Sequence, residues 1–314
     1  MLKFTRKCFS KTILITGGNK GLGLEVAKKL LEKELKSTFS TNNLNSNNEK
    51  TKETYNIILT SRDTERGLNA IKELKHNFNL ENLPSEKIKF HQLDISNESS
   101  INGCIEFLKN LKKNEIQNDQ GIIDILLNNA GAAYPGILKI NIDVYNHIFT
   151  TNVFGTMRFT EIIIAENLLK ENSKIIFLAS SLGRIARLGE KIQSEFNNEN
   201  LTKENLIEFS QRFKNSIINK TYFEEGWGKH VYALSKIIVK KYAEILAEDK
   251  NLRKKQIQVY SCCPGWTKTD LGGHNASRTL EEGVVTVLYL IELEHFIREE
   301  LQGKFFYDCQ IAEM

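Results

Sequence analysis

The chain has 314 residues, 40% of them hydrophobic and 9% aromatic, which is enough apolar material for a large core without disulfide support. Lys and Arg number 43 against 39 Asp and Glu, a net charge of +4 spread along the chain, and this excludes a nucleic-acid binder built on a basic patch. No apolar run reaches the ~18 residues of a membrane-spanning helix, and neither the five cysteines (Cys8, Cys104, Cys262, Cys263, Cys309) nor His147, His230 and His274 are spaced as metal ligands.

In chain order, Met1 to Lys11 is basic but lacks the apolar stretch of a secretory leader, which leaves a short mitochondrial presequence as the alternative to a cytoplasmic protein with reduced thiols. Short aliphatic and β-branched runs then predict strands at Thr12–Thr16, Asn56–Thr60, Ile88–Gln92, Ile122–Leu127, Lys174–Ala179, Gln256–Ser261 and Lys304–Tyr307. Amphipathic segments lie between them, among them Leu24, Val26, Ala27, Leu30 and Leu31, then Ile101, Ile105, Leu108 and Leu111, then Ile237, Ile238, Tyr242, Ile245 and Leu246. Strand alternating with helix predicts an α/β fold with a parallel sheet covered on both faces.

Two stretches interrupt the rhythm. Residues 37–54 are rich in Asn, Ser and Thr and read as a solvated loop insertion, with a recognition loop as the alternative. Residues 190–228 carry a helical pattern of their own, Leu206, Phe209, Phe213 and Ile217 behind Thr202 as an N-cap, and read as an ordered insertion docked on the body. The whole chain, 1–314, is thus read as one domain.

After the first strand comes Thr16-Gly17-Gly18-Asn19-Lys20-Gly21-Leu22-Gly23. A strand, a glycine turn and a helix N-terminus present free N–H groups and a positive dipole end, a seat for a pyrophosphate. Glycines also gather in loops for turn reasons alone, so the context carries this reading. The second strand ends on Arg62 and Asp63; an Arg there suits the 2′-phosphate of NADP, whereas an inward carboxylate would favour NAD. Lys20 can reach the same phosphate, and Asp63 is expected to face solvent or cap the next helix. Asp94 and Ile95 follow the third strand and Asn128-Asn129 the fourth, at the carboxyl ends where open α/β sheets bind ligands. Asp94 and Ile95 are expected on the adenine side and Asn129 on the nicotinamide half, although two adjacent Asn can also serve strand-end backbone groups.

Tyr232 and Lys236 stand at i and i+4, on one helix face, downstream of Ser180-Ser181, which are expected to close the fifth strand, and of Thr151-Asn152 in the helix before it. A close ammonium would lower the phenol pKa from near ~10 and poise Tyr232 as a general acid or base at a carbonyl oxygen.

Taken in order, TGGNKGLG, NNAG, TNVFGT, the Ser pair, YALSK and CCPGW resemble the short-chain dehydrogenase/reductases. Asn19-Lys20, LTSRD, HQLDIS, EGW at 225–227, CCPGWTKTDLGG at 262–273 and the long gap from Ser181 to Tyr232 resemble the carbonyl reductase branch of that family. The resemblance spans nearly the whole chain, and residues 37–54 depart from it. It implies one Rossmann-type doubly wound sheet in the order 3-2-1-4-5-6-7, and NADPH-dependent reduction of ketones, aldehydes or quinones. It further implies a monomer, because an inserted helix covers the face through which relatives tetramerise. In the roles it implies, Tyr232 protonates the carbonyl oxygen, Ser181 hydrogen-bonds that oxygen, Lys236 holds the nicotinamide ribose and Asn152 holds a relay water. Thr267 to Thr269 would close over the cofactor. Gly17, Asn19, Lys20, Gly21, Leu22, Gly23, Arg62, Asp94, Ile95 and Asn129 complete the expected cofactor site.

Trp266, with Ala132, Ala133, Tyr134 and Ile185, is expected to wall the substrate pocket, with ordinary packing as the alternative. Cys262 and Cys263 read as inert buried thiols, a reactive thiol being the alternative. Two other classes stay open: a dinucleotide-binding regulator without turnover, and an interaction protein working through residues 190–228. No residue singles out one carbonyl substrate.

Overall fold

The computed structural model describes residues 10–40, 54–77, 87–115, 120–134, 140–294 and 299–313. Its strands are β1 (Ser10–Ile15), β2 (Thr54–Ser61), β3 (Ile88–Gln92), β4 (Ile123–Asn128), β5 (Leu169–Leu178), β6 (Gln258–Cys263), β7 (Phe305–Tyr307) and β8 (Gln310–Ile311). They form one sheet in the order β3-β2-β1-β4-β5-β6-β7-β8, parallel throughout except for the β7–β8 hairpin. The expected order holds over seven strands. The additional β8 is two residues long, too short for any periodic signal, and its turn places Asp308 and Cys309 at positive φ (50° and 61°) without the glycine that usually marks such a turn.

Alternation along the strands feeds two cores. Leu14 and Leu126 point to one face, while Ile13, Ile15, Ile125 and Leu127 point to the other. The second face is covered by α1 (Gly21–Ser40), α2 (Thr64–Asn77) and α10 (Leu280–Glu292). On the first face lie α3 (Glu98–Glu115), α4 (Ile142–Phe149), α5 (Thr156–Ala165) and α8 (Val231–Ala247), with the short α9 (Lys250–Lys254) after α8. Lys174 on β5 is buried, and its ammonium donates to the carbonyls of Leu290 and Ile291, both at 2.9 Å, and of Leu293, so a cation caps the negative end of α10.

The insertion holds two helices, α6 (Glu190–Phe196) and α7 (Lys203–Asn219), where the sequence pattern marked only the second. Thr202 does cap α7: its hydroxyl accepts from Asn205 N at 3.3 Å, and Asn205 Oδ1 accepts from Thr202 N at 3.0 Å. Leu206, Phe209, Phe213 and Ile217 enter the same core as Tyr145 and Phe149 of α4, and Tyr145 donates its hydroxyl to the Ser210 carbonyl at 2.9 Å. Of the Asn-rich stretch, residues 37–40 end α1, Thr54 begins β2, and 41–53 lie outside the described residues. Among the described residues no helix is long and apolar enough to cross a membrane.

Candidate active site

The glycine turn joins β1 to α1 and is braced from β4. Asn129 donates its side-chain amide to the carbonyls of Thr16 (2.7 Å) and Gly17 (2.9 Å), while the Thr16 hydroxyl accepts from the backbone of Asn129 (3.0 Å) and Ala130 (2.9 Å). The Asn129 amide nitrogen is therefore engaged by the turn. Gly17 has φ +65°, and a Cβ there would stand 3.0 Å from the Ala130 Cα. A Cβ on Gly23 would stand 2.6 Å from the Asn129 amide nitrogen, so the close approach fixes glycine at that position too. Leu22 leans on α10, 2.9 Å from a Cβ placed on Gly283, and Asn19 is half-buried in the turn.

At the end of β2, Arg62 is exposed and receives Gln92 Nε2 on its carbonyl at 3.0 Å. Asp63 accepts from Arg66 N at 2.9 Å and pairs with the Arg66 guanidinium at 3.6 Å, so it caps α2 as expected. Asp94 is held by Ser96 N (2.9 Å) and Ser96 Oγ (2.5 Å), and Ile95 is buried with its carbonyl against Gly155. Lys20 is exposed and ion-paired with Asp270, which lies beyond β6; this contact holds the Asp270 carboxyl below its usual range.

The reacting end is assembled by β5, α8 and a π-helical turn (Thr150–Gly155) between α4 and α5, where a plain helix had been expected. Such turns recur at functional sites because the extra residue leaves the helical ladder locally unpaired. In it Asn152, 1% exposed, exchanges two hydrogen bonds with Ala132 (2.7 Å to Oδ1, 2.9 Å from Nδ2) and donates to Ser235 Oγ at 3.2 Å. Its side chain is a brace for the loop after β4. A Cβ on Gly131 would stand 3.5 Å from Asn152 Oδ1 and 3.8 Å from Lys236 Nζ, which puts both groups beside that glycine.

β5 ends at Leu178, so the two serines follow the strand and do not close it. Ser180 lies beside the Tyr232 phenol and acts to lower its pKa. Ser181 donates its backbone N–H to Cys263 Sγ at 3.1 Å. Lys236 is 5% exposed; its ammonium donates to the Leu178 carbonyl at 2.6 Å and lies over the Tyr232 ring, 5.6 Å from the centroid. Burial lowers its pKa to about 8. Burial likewise drives the Tyr232 phenol upward, the neighbouring Cys263 thiol adding to this and the Ser180 contact opposing it. Burial thus outweighs the lowering expected of the phenol.

Cys263 Sγ also accepts from Gly265 N at 3.2 Å, and Cys262 is buried with its thiol pushed up by burial, as suits an inert group. Beyond β6, Thr267 is buried and donates to the Pro264 carbonyl at 3.1 Å, while Thr269 accepts from Gly272 N at 2.9 Å and reaches Gly21, 3.5 Å from where a Cβ would stand. Trp266 is 56% exposed with its indole N–H on the Gly272 carbonyl at 2.8 Å, so it is not packed in a core. Tyr134 is also exposed and meets His147 edge-on at 6.3 Å. Ile185 is buried. The arrangement offers a phosphate seat at the Gly turn, cations near its mouth, and a half-buried phenol and hydroxyl beside a buried ammonium at its other end.

A family model described as short chain dehydrogenase matches residues 48–192. Carbonyl reductase (NADPH) 1 of Mus musculus is 32% identical over 286 residues, covering 88% of this chain and 89% of that protein. Carbonyl reductase (NADPH) 3 of Homo sapiens is 29% identical, covering 95% and 96%. Among solved structures, salutaridine reductase from Papaver somniferum superposes with a TM-score of 0.74 at 24% identity, over 95% of this chain and 100% of that one. NADPH-bound carbonyl reductase from chicken fatty liver gives 0.59 at 19% identity, over 95% and 96%. The chain belongs to the short-chain dehydrogenase/reductase family, in its carbonyl reductase branch.

Proposed function

We propose that this protein reduces carbonyl compounds, ketones, aldehydes or quinones, to alcohols or hydroquinones with NADPH. The observation that carries this is the joining of two half-sites: the braced glycine turn with Lys20 and Arg62 at its mouth, and the half-buried Tyr232 and Ser180 with the buried Lys236 at its far end. The cradle suits a dinucleotide, since Gly17, Gly21 and Gly23 leave room where any Cβ would fill the turn or crowd its neighbours. The helix N-terminus of α1 would take the pyrophosphate, Lys20 and Arg62 the 2′-phosphate, and Asp94 and Ile95 would border the adenine. Asp63 is engaged as a helix cap and not held for the ribose, and this supports NADPH over NADH.

When bound, NADPH supplies the hydride. Tyr232 supplies the proton: a phenol whose pKa is raised by burial stays protonated at neutral pH and gives its proton only where negative charge develops on the substrate oxygen. Ser180 donates to that oxygen, and Lys236, cationic below about pH 8, stabilises the phenolate left behind. Asn152 and Asn129 act as braces for the loop after β4 and for the glycine turn. Trp266 and Tyr134, exposed at the mouth, are suited to wall a substrate of variable shape.

The insertion supports a monomer, since α7 packs across α4 and α8, and its shared core supports one domain over 1–314. Cys104, Cys262, Cys263 and Cys309 are unpaired thiols, which supports a reducing compartment such as the cytoplasm. The test is the initial rate of reduction of a reactive quinone and a reactive aldehyde with NADPH against NADH. Turnover with strong NADPH preference is expected; NADPH binding without turnover on either would favour the regulator.

A further inference from the structure

Between β6 and α10 the chain leaves the sheet at Pro264 and rejoins a helix at Thr279. On one side this loop touches the glycine turn, through Thr269 beside Gly21 and Asp270 on Lys20. Its root meets the serine loop, because Gly265 N and Ser181 N share the Cys263 sulfur as acceptor. The loop therefore spans the cleft from the pyrophosphate seat to the reacting end.

Its other side is held by Arg278. The guanidinium donates to both oxygens of Asp308 (2.6 and 2.9 Å) and to the Tyr307 hydroxyl (3.1 Å), and lies 5.0 Å from the Tyr307 ring centroid. A bidentate fork with a ring beneath it fixes orientation as well as charge. The backbone of the same residue grips the loop: Arg278 N donates to the Trp266 carbonyl and Lys268 N to the Arg278 carbonyl, both at 2.9 Å. The Arg278 side chain also fills the space beside Gly265, where a Cβ would stand 2.6 Å from its Cδ. The hairpin that receives the guanidinium is itself anchored, with Cys309 N on the Thr286 hydroxyl of α10 at 3.2 Å.

We propose that Arg278 is a positioning residue which, clamped on the β7–β8 hairpin, holds the 264–277 loop over the cleft and sets the affinity for the nicotinamide half of the cofactor through that loop. This rests on the NADPH reading of the cleft. Displacing a closing loop by about 1 Å can cost a large factor in binding or rate, whereas the adenine end, built on Arg62 and Asp94, meets this loop only through the Asp270–Lys20 pair, which competes with a bound phosphate.

The experiment is a fluorescence titration of the wild type, Arg278→Ala, Arg278→Lys and Asp308→Asn with NADPH and with adenosine 2′,5′-bisphosphate, which carries the adenine half alone. Arg278→Ala is expected to weaken NADPH at least about tenfold while leaving the bisphosphate no weaker, or tighter once Asp270 releases Lys20. Arg278→Lys and Asp308→Asn, which keep a charge or a shape but lose the fork, should fall between. Retained bisphosphate binding shows that each variant is folded. An NADPH affinity within about twofold of wild type, or equal weakening of both probes, would overturn the clamp. A wild type that binds neither probe would overturn the cofactor reading and the clamp's role with it.

Discussion

At the adenine end of the cleft the charged groups stand in solvent, with Lys20 paired to an exposed Asp270 and Arg62 open at the end of β2, whereas at the reacting end Lys236 is 5% exposed and Asn152 1%. Charges in water are held loosely and contribute modestly, so they suit recognition of a phosphate whose position need not be exact to a fraction of an ångström. Charges and hydroxyls taken out of water are costly, directional and perturbed in pKa, which is what proton transfer requires. Substitutions at the two ends should therefore differ in kind: large losses of turnover with cofactor binding kept at one, modest losses of binding with chemistry kept at the other.

The largest effect is expected at Tyr232. Tyr232→Phe keeps the ring and removes the proton, and should lower kcat by at least about a thousandfold with NADPH affinity little changed; retained turnover would show that another group is the acid. The serine pair gives the next contrast. Ser180→Ala should cost about a hundredfold in kcat, the scale of losing one donor to a developing oxyanion, and Ser181→Ala should cost far less, since the structure uses its backbone N–H and that survives. The reverse order in steady-state rates would return the role to Ser181. At the exposed end, Lys20→Ala and Arg62→Ala should each raise KM for NADPH about tenfold and leave NADH kinetics unaltered; equal effects on both coenzymes would remove the 2′-phosphate assignment.

The smallest effect concerns stability and separates the buried cation from its function. Lys236 has its pKa lowered from 10.5 to about 8 by burial, so at neutral pH the folded state carries the full cost of desolvating the ammonium. Between about pH 8 and 10.5 the unfolded chain binds the proton more tightly than the folded one, so stability rises with pH across that window. Lys236→Met should thus raise the thermal midpoint of an inactive protein by a few degrees at neutral pH, the ~3 kcal/mol relief being partly offset by the orphaned Leu178 carbonyl. Its advantage should shrink as pH climbs from about 8 toward 10.5, and an advantage independent of pH would contradict the assignment.

Much of the fold could be read from sequence because the central parallel strands β4, β5 and β6, buried for most of their length, announce themselves as apolar runs, and because Thr202 and the Leu206–Ile217 spacing declare a helix. β8 could not be, since two residues have no period and its turn has no glycine. Tyr232 and Lys236 were legible because i, i+4 on a helix fixes a shared face. The end of β5 at Leu178, ahead of the serine pair, was not, because strand ends are set by tertiary pairing and not by local sequence. Asn129 and Asn152 were found as site residues, but their use as braces follows from backbone positions 113 and 20 residues away, after β1 and after β4. Arg278 and Asp308 were missed for the same reason: 30 residues apart, they meet only because the hairpin folds back beside the loop.

The central claim, that one cleft joins an NADPH seat to a buried proton donor for carbonyl reduction, is tested most directly by reducing an aldehyde with NADPH deuterated at the nicotinamide C4, in ordinary water, and analysing the alcohol by mass spectrometry and NMR. The account predicts one deuterium on the former carbonyl carbon from the wild type and almost no product from Tyr232→Phe. Alcohol without deuterium on that carbon, or undiminished product from Tyr232→Phe, would contradict it.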